Sequence, residues 1–272
     1  IVRNCKLIES GSGAYDAGIR LDYAGNGTLI NNNCSFTNRI GIYLDYSDNN
    51  TVSGNTANNN QDLGIYLRYS DNTTVSVNTA NNTKYGIYLS YSDNTTVSGN
   101  TANNNSWNGI ALYYSDNTTV SGNTVSNNYF GIKLSYSNRN LIYKNYFDNG
   151  GVNAQNNGTD NKWDNGVIGN YWDDYAGVDA NDDGIGYTPY LISGIGGGQD
   201  TYPICDDGDY IAPVITIVLP SANSVFGLEA PNYQITINEL NLDTIWYTLD
   251  GGGTNYTITG LTGTFNQLAW EA

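Results

Sequence analysis

The pattern Gly-Ile-x-Leu occurs six times in the first half of this chain, opening at Gly18, Gly41, Gly64, Gly86, Gly109 and Gly131. Successive copies lie 22 or 23 residues apart. A tyrosine, a polar turn cluster, a Thr-Val-like pair and an asparagine follow each copy at near-fixed offsets. Self-similarity at this period marks a solenoid, in which each unit buries its apolar face against its neighbours. Every sequence position then recurs on every coil, and function must be sought in surface columns.

The third copy shows the expected local structure. Across Gly64 to Tyr69, Ile65, Leu67 and Tyr69 should point one way, and Tyr66 and Arg68 the other. Ser70-Asp71-Asn72 supplies a turn through short polar side chains that satisfy local backbone groups. Thr74-Val75 opens a second short strand, and Asn78 closes it. Two or three short strands per coil describe an all-β fold, a parallel β-helix. Its inward columns read Ile19, Ile42, Ile65, Ile87, Ile110, Ile132, then Leu21 to Leu134, then Leu29, Val52, Val75, Val97, Val120, Ile142. Asn32, Asn55, Asn78, Asn100, Asn123 and Asn145 should form a structural amide ladder, with Cys5 at the next rung.

Composition narrows the function classes. The 272 residues carry a net charge of −16 with only ten Lys and Arg, so nucleic acid is not an expected partner. Neither His nor Met is present, which removes the commonest acid-base group and the usual copper donors. Cys5, Cys34 and Cys205 show no zinc spacing and read as small core residues. No apolar run reaches the length of a membrane span. No signal peptide opens the chain, which reads as a piece of a longer polypeptide.

Beyond the last coil runs Trp163-Asp164-Asn165-Gly166-Val167-Ile168-Gly169-Asn170-Tyr171-Trp172-Asp173-Asp174-Tyr175, then Asp179 to Gly186, Thr188-Pro189-Tyr190 and Asp200-Thr201-Tyr202-Pro203. With the coils, this string resembles the NosD-like group of right-handed parallel β-helix proteins with PbH1-type repeats, over about residues 1–205. The resemblance implies that the string is a C-terminal cap over the open sheet edge. It also implies copper binding, against which the missing His and Met argue. Residues 1–147 are thus expected to be coils and 148–205 the cap.

Three surface features are candidate sites. Asp179, Asn181 and Asp183 alternate before Gly184, as oxygen ligands do in a calcium loop. The carbonyl of Ile185 would be the next ligand, and Asp173 and Asp174 could complete a structural Ca2+ shell. On the outward face of the Gly-Ile-x-Leu strands, Tyr43, Tyr66 and Tyr88 should form an exposed strip, flanked by Arg20, Asp45 and Arg68, on which sugar rings could stack. Asp22 and Asp45 there could pass as a carboxylate pair, but nothing beside them reads as a general base. The turn carboxylates Asp48, Asp71, Asp93 and Asp116 are expected to face water. Among the Asn-x-Ser/Thr sequons, Asn26, Asn33, Asn81, Asn104, Asn157 and Asn255 are candidate glycosylation sites.

The repeat ends by Asp206. Residues 206–212 read as a linker and 213–272 as an incomplete immunoglobulin-like sandwich with Trp246 in its core and a hairpin turn at 250–252. Together these features suggest a noncatalytic cell-surface structural or adhesion protein, with polysaccharide, other surface proteins or its own copies as partners. A carbohydrate-binding module is the alternative, and a polysaccharide lyase or hydrolase a weaker one.

Overall fold

In the computed structural model the described residues are 1–7, 13, 15–179, 183–205, 214–221, 224–238, 245–249 and 253–270. The chain divides into two units, residues 1–178 with 184–205, and residues 179–183 with 206–272. Each is taken by itself below.

The first unit is a parallel β-helix. Seven long strands, Ala17–Asp22, Ile40–Asp45, Leu63–Arg68, Tyr85–Ser90, Asn108–Tyr113, Phe130–Ser135 and Val152–Asn157, stack in chain order into one parallel sheet. Seven short strands form a second sheet, from Val2–Arg3 through Thr51–Ser53 and Thr74–Ser76 to Leu141–Tyr143. Thr124–Ser126, Tyr146–Asp148 and Tyr171–Trp172 make a third. Pairing is like on like: Ile42 lies over Ile65, Tyr43 over Tyr66 and Leu44 over Leu67. Val152–Asn157 pairs with Phe130–Ser135 in the same register, so the coils continue one rung beyond residue 147.

Alternation within each strand builds the core. Ile42, Ile65, Ile87, Val52, Val75 and Val97 are fully buried, and the Thr and Ser on either side of each valine stay half-exposed. The glycine of each Gly-Ile pair sits where the next rung comes closest. A Cβ built on Gly64 would lie 2.6 Å from the Gly86 carbonyl oxygen and 2.7 Å from the Ala80 Cβ.

The asparagine column forms the expected ladder. Each buried amide donates to the side-chain oxygen of the next: Asn32 to Asn55 at 2.9 Å, Asn55 to Asn78 and Asn78 to Asn100 at 3.0 Å, and on through Asn123 and Asn145 to Asn170. That same oxygen accepts the previous rung's backbone N–H, as Asn78 does from Asn55 at 2.8 Å. The Cys5 N–H caps one end on Asn32 at 3.1 Å.

Asp200 closes the other end. This fully buried carboxylate accepts from the Asn170 N–H at 2.7 Å, the Trp172 Nε1 at 3.0 Å and the Tyr202 N–H at 3.1 Å. Burial raises its pKa to about 6, and these donors pull the other way. A raised folded pKa gives stability that is full below the unfolded value and lost as pH rises through the folded one. Asp200 therefore withdraws about 3 kcal/mol between pH 4 and pH 7. The difference in unfolding free energy between the wild type and Asp200→Asn should shrink by about that amount over this range, measured by urea titration. A difference that stays constant with pH would contradict the assignment.

The second unit holds antiparallel strands. Val214–Leu219 pairs with Asn232–Asn238, which pairs with Thr262–Thr264, while Ile245–Tyr247 pairs with Tyr256–Ile258. Trp246 is not its core aromatic: it is 54% exposed, and Tyr233 is buried instead, with Tyr247 and Phe265 against it. Strand alternation is the reason, since Ile245 and Tyr247 face inward and Trp246 lies between them. The linker and the 250–252 turn lie outside the described residues. Among the described residues no helix is long and apolar enough to cross a membrane.

Candidate functional site

The long-strand sheet brings the predicted face together. Register places Arg20 over Tyr43 and Tyr66 over Tyr88. The rings stack, with centroids 5.0 Å apart for Tyr43 and Tyr66 and 5.3 Å for Tyr66 and Tyr88. The strip is not open along its length, however. Tyr43 is fully buried, because Tyr15 stacks over it at 6.1 Å and the Arg20 guanidinium lies 5.2 Å from its centroid. Tyr66 and Tyr88 are half-buried. Tyr15 lies upstream of the first Gly-Ile-x-Leu copy and occupies no repeat column, so periodicity gives no sign of this cover.

The charges of this face are matched to one another. Asp45 is 6% exposed and lies between Arg20 at 3.7 Å and Arg68 at 3.6 Å. Arg20 also meets Asp22 at 3.3 Å, and Arg68 Nη1 donates to the Tyr43 hydroxyl at 3.4 Å. Burial pushes the Tyr43 phenol well above its ordinary range, with Asp45 adding to the rise and Arg68 opposing it. Burial also raises Tyr66 and takes Tyr88 to about 12. For Arg68, desolvation alone would lower the pKa; the Tyr43 hydroxyl and Asp45 outweigh it and hold the guanidinium above its ordinary value. A general base needs a pKa near the working pH, and these phenols are driven away from it.

A second aromatic column lies at the corner after each long strand. It holds Tyr23, Tyr46, Tyr69, Tyr91, Tyr114 and Tyr136, and strand alternation reads Tyr69 as inward. All six instead adopt left-handed backbone, with φ between 46° and 53°, and point outward. Tyr23 is 75% exposed and Tyr136 57%. Neighbouring rings stack at 4.7 to 5.0 Å. The serine that follows five of them, Tyr46 to Tyr136, turns inward, and its hydroxyl accepts the previous rung's N–H, as Ser70 does from Ser47 at 3.0 Å. The aspartate after that is not simply solvated. Asp48 Oδ1 accepts the Asp71 N–H at 2.8 Å, Asp71 that of Asp93 and Asp93 that of Asp116, both at 2.7 Å. Tyr91, Tyr114 and Tyr136, with Asp93, Asp116 and Asn138, line an open groove of about 530 Å³.

Several of the remaining candidates have hydrogen-bond partners of their own. Asp173 and Asp174 both accept from Asn153 Nδ2, at 2.6 and 2.8 Å, and Asp174 also accepts from the Tyr190 hydroxyl at 2.9 Å. Asp179 accepts the Asp183 N–H at 3.3 Å. Ile185 bridges to Ile204, and Asn181 lies outside the described residues. Among the described residues no group of three or more Asp, Glu, Cys or His is arranged to hold a metal. Of the sequons, Asn26, Asn104 and Asn255 are exposed. Asn33, Asn81 and Asn157 are half-buried, their side-chain oxygens accepting from Ser35, Asn103 and Ile195.

A family model described as "Periplasmic copper-binding protein (NosD)" matches residues 2–177. Among solved structures, the A-module of the Azotobacter vinelandii mannuronan C-5 epimerase AlgE4 is 14% identical, over 62% of this chain and 50% of its own, with a TM-score of 0.51. The periplasmic alginate epimerase AlgG is 24% identical, over 57% of this chain and 34% of its own, with a TM-score of 0.47. The chain thus spans half or less of these proteins, and the likeness concerns the fold alone. No curated protein matches the chain. The residues present do not fit copper, which calls for imidazole, thioether or clustered thiolate. With no His or Met, only thiols remain. Cys34 is fully buried, with burial raising its pKa to about 12, and Cys205 Sγ lies 3.7 Å from the Gly177 carbonyl oxygen as a weak donor.

Proposed function

Because the chain belongs to the NosD family of parallel β-helix proteins, we propose that it is a noncatalytic scaffold outside the cytoplasm, whose β-helix presents repeated surface columns to a cell-surface partner. The family's periplasmic description and the acidic, histidine-free composition support that location. One observation carries the noncatalytic reading. On the long-strand face, Arg20, Asp22, Asp45 and Arg68 pair with one another, and the phenols are pushed up by burial. Among the described residues of that face, the carboxylates are held by guanidinium groups rather than poised as proton acceptors. The fold's rigidity and its like-on-like register suit a spacer or adhesin.

The test is incubation with mannuronan, polygalacturonate and neutral glucans, followed for new reducing ends, unsaturated uronate absorbance and C-5 inversion by NMR. None should rise above the buffer control. Turnover of any of these polymers that vanished in Tyr66→Phe or Arg68→Ala would sink the noncatalytic reading.

A further inference from the structure

We propose that the corner column Tyr23–Tyr46–Tyr69–Tyr91–Tyr114–Tyr136, with the groove beside it, is a binding lane for a neutral, extended, β-linked polysaccharide running along the β-helix. This goes beyond the scaffold reading and does not depend on it.

The first observation is backbone strain. Each coil holds a second left-handed corner position, three residues after the tyrosine, occupied on five rungs by Asn26, Asn49, Asn72, Asn94 and Asn117 at φ 54° to 58° and on the sixth by Arg139 at φ 56°. Asparagine suits that conformation, and a bulky aromatic does not. The same repeat nevertheless places tyrosine at the first position on all six rungs. Stacking between rings offsets part of the strain. It does not call for a hydroxyl or for exposure, and a buried column would have stacked as well. Backbone strain repeated at an exposed site is the kind of feature that points to function.

The second observation is chemical. Two flat rings side by side in one plane could not bring their centroids to 5 Å, so ring faces overlap and the lane presents partial faces, ring edges and a row of phenol hydroxyls. These repeat at the rung spacing of about 4.8 Å, close to the residue repeat of an extended β-linked sugar chain. One sugar per rung can therefore keep its place over several rungs. In the groove lining, Asp93 and Asp116 use Oδ1 on the next backbone N–H, and Arg139 Nη2 holds Asp116 Oδ2 at 2.9 Å; carboxylate oxygens such as that of Asp93 are acceptors for sugar hydroxyls. Asp116 is paired with Arg139 at 2.9 Å, but Asp48, Asp71 and Asp93, in a chain of net charge −16, repel anionic polymers and a second copy of the row. A neutral chain remains as the matching occupant.

The test is affinity electrophoresis of the whole chain in gels containing hydroxyethylcellulose, β-1,4-mannan or polygalacturonate, compared with Tyr69→Asn/Tyr91→Asn/Tyr114→Asn. Asparagine keeps the left-handed backbone, so the variant should fold, and circular dichroism checks that it does. The wild type should be retarded by at least one neutral polymer and not by polygalacturonate, with retardation weakened about tenfold or more in the variant. Should the folded variant lose affinity for bound polymer no more than Tyr66→Phe does, the lane is wrong. Absence of retardation by both neutral polymers, preference for polygalacturonate, or a wild-type dimer that the variant abolishes would each overturn it too.

Discussion

Asn78→Ala is expected to lower the unfolding free energy by about 4 kcal/mol. Asn78 donates to the Val52 carbonyl at 2.8 Å and to Asn100 at 3.0 Å, and its oxygen accepts from both the Asn55 backbone and the Asn55 amide. Alanine leaves these partners buried without a substitute, and each orphan costs about 1–3 kcal/mol. The ladder also couples the rungs, because each amide is held at once by the one before and the one after. Asn72→Gly is the matched control. Asn72 is exposed and serves its rung through its φ of 54°, which glycine adopts freely, so its change should stay within about 0.5 kcal/mol. Urea unfolding of the two variants separates these roles. Equal losses would mean that the amides are not a structural ladder.

Gly64→Ala should be nearly as damaging, at about 3 kcal/mol. Its new methyl would press on the Gly86 carbonyl oxygen at 2.6 Å, on the Ala80 Cβ at 2.7 Å and on the Ala57 oxygen at 3.1 Å. Two of these are backbone atoms fixed in ladders, so no side-chain rotation relieves the contact. The rungs must part, and the Ile65 and Leu67 columns part with them. Gly150→Ala, at a site with nothing within 4 Å, should change stability little. If Gly64→Ala melted like Gly150→Ala, the close approach at the Gly-Ile step would be wrong.

What the sequence reveals here follows from where the information lies. The inward Ile, Leu and Val columns and the Asn ladder were legible because each is set within one coil and then copied. Two coils aligned on paper already show residues that meet in space. Corners and covers were harder. Tyr69 follows Leu67 by two positions, which strict alternation reads as inward, but a left-handed φ at the corner turns it out. Tyr43 matches Tyr66 in the repeat, yet Tyr15, from outside the repeat, buries it. Asp200 ends the amide ladder from 30 residues beyond Asn170, a link that no local pattern signals. The sugar-facing strip was therefore expected on the sheet face, whereas the open aromatic column stands at the corner.

The β-helix is built from like residues lying directly above one another, rung on rung, and disulfide trapping tests that register most directly. In a background of Cys5→Ser, Cys34→Ala and Cys205→Ser, cysteines are paired at Ser53 with Ser76, or at Ser53 with Ser98. Ser53 and Ser76 are in register, with hydroxyls 3.1 Å apart, and adjacent rungs fall within disulfide reach. Two rungs lie about 10 Å apart, beyond it. Mild oxidation should close the 53–76 pair nearly completely and leave the 53–98 pair as free thiols. Closure of the 53–98 pair, or failure of the 53–76 pair in a folded chain, would contradict the stacked register.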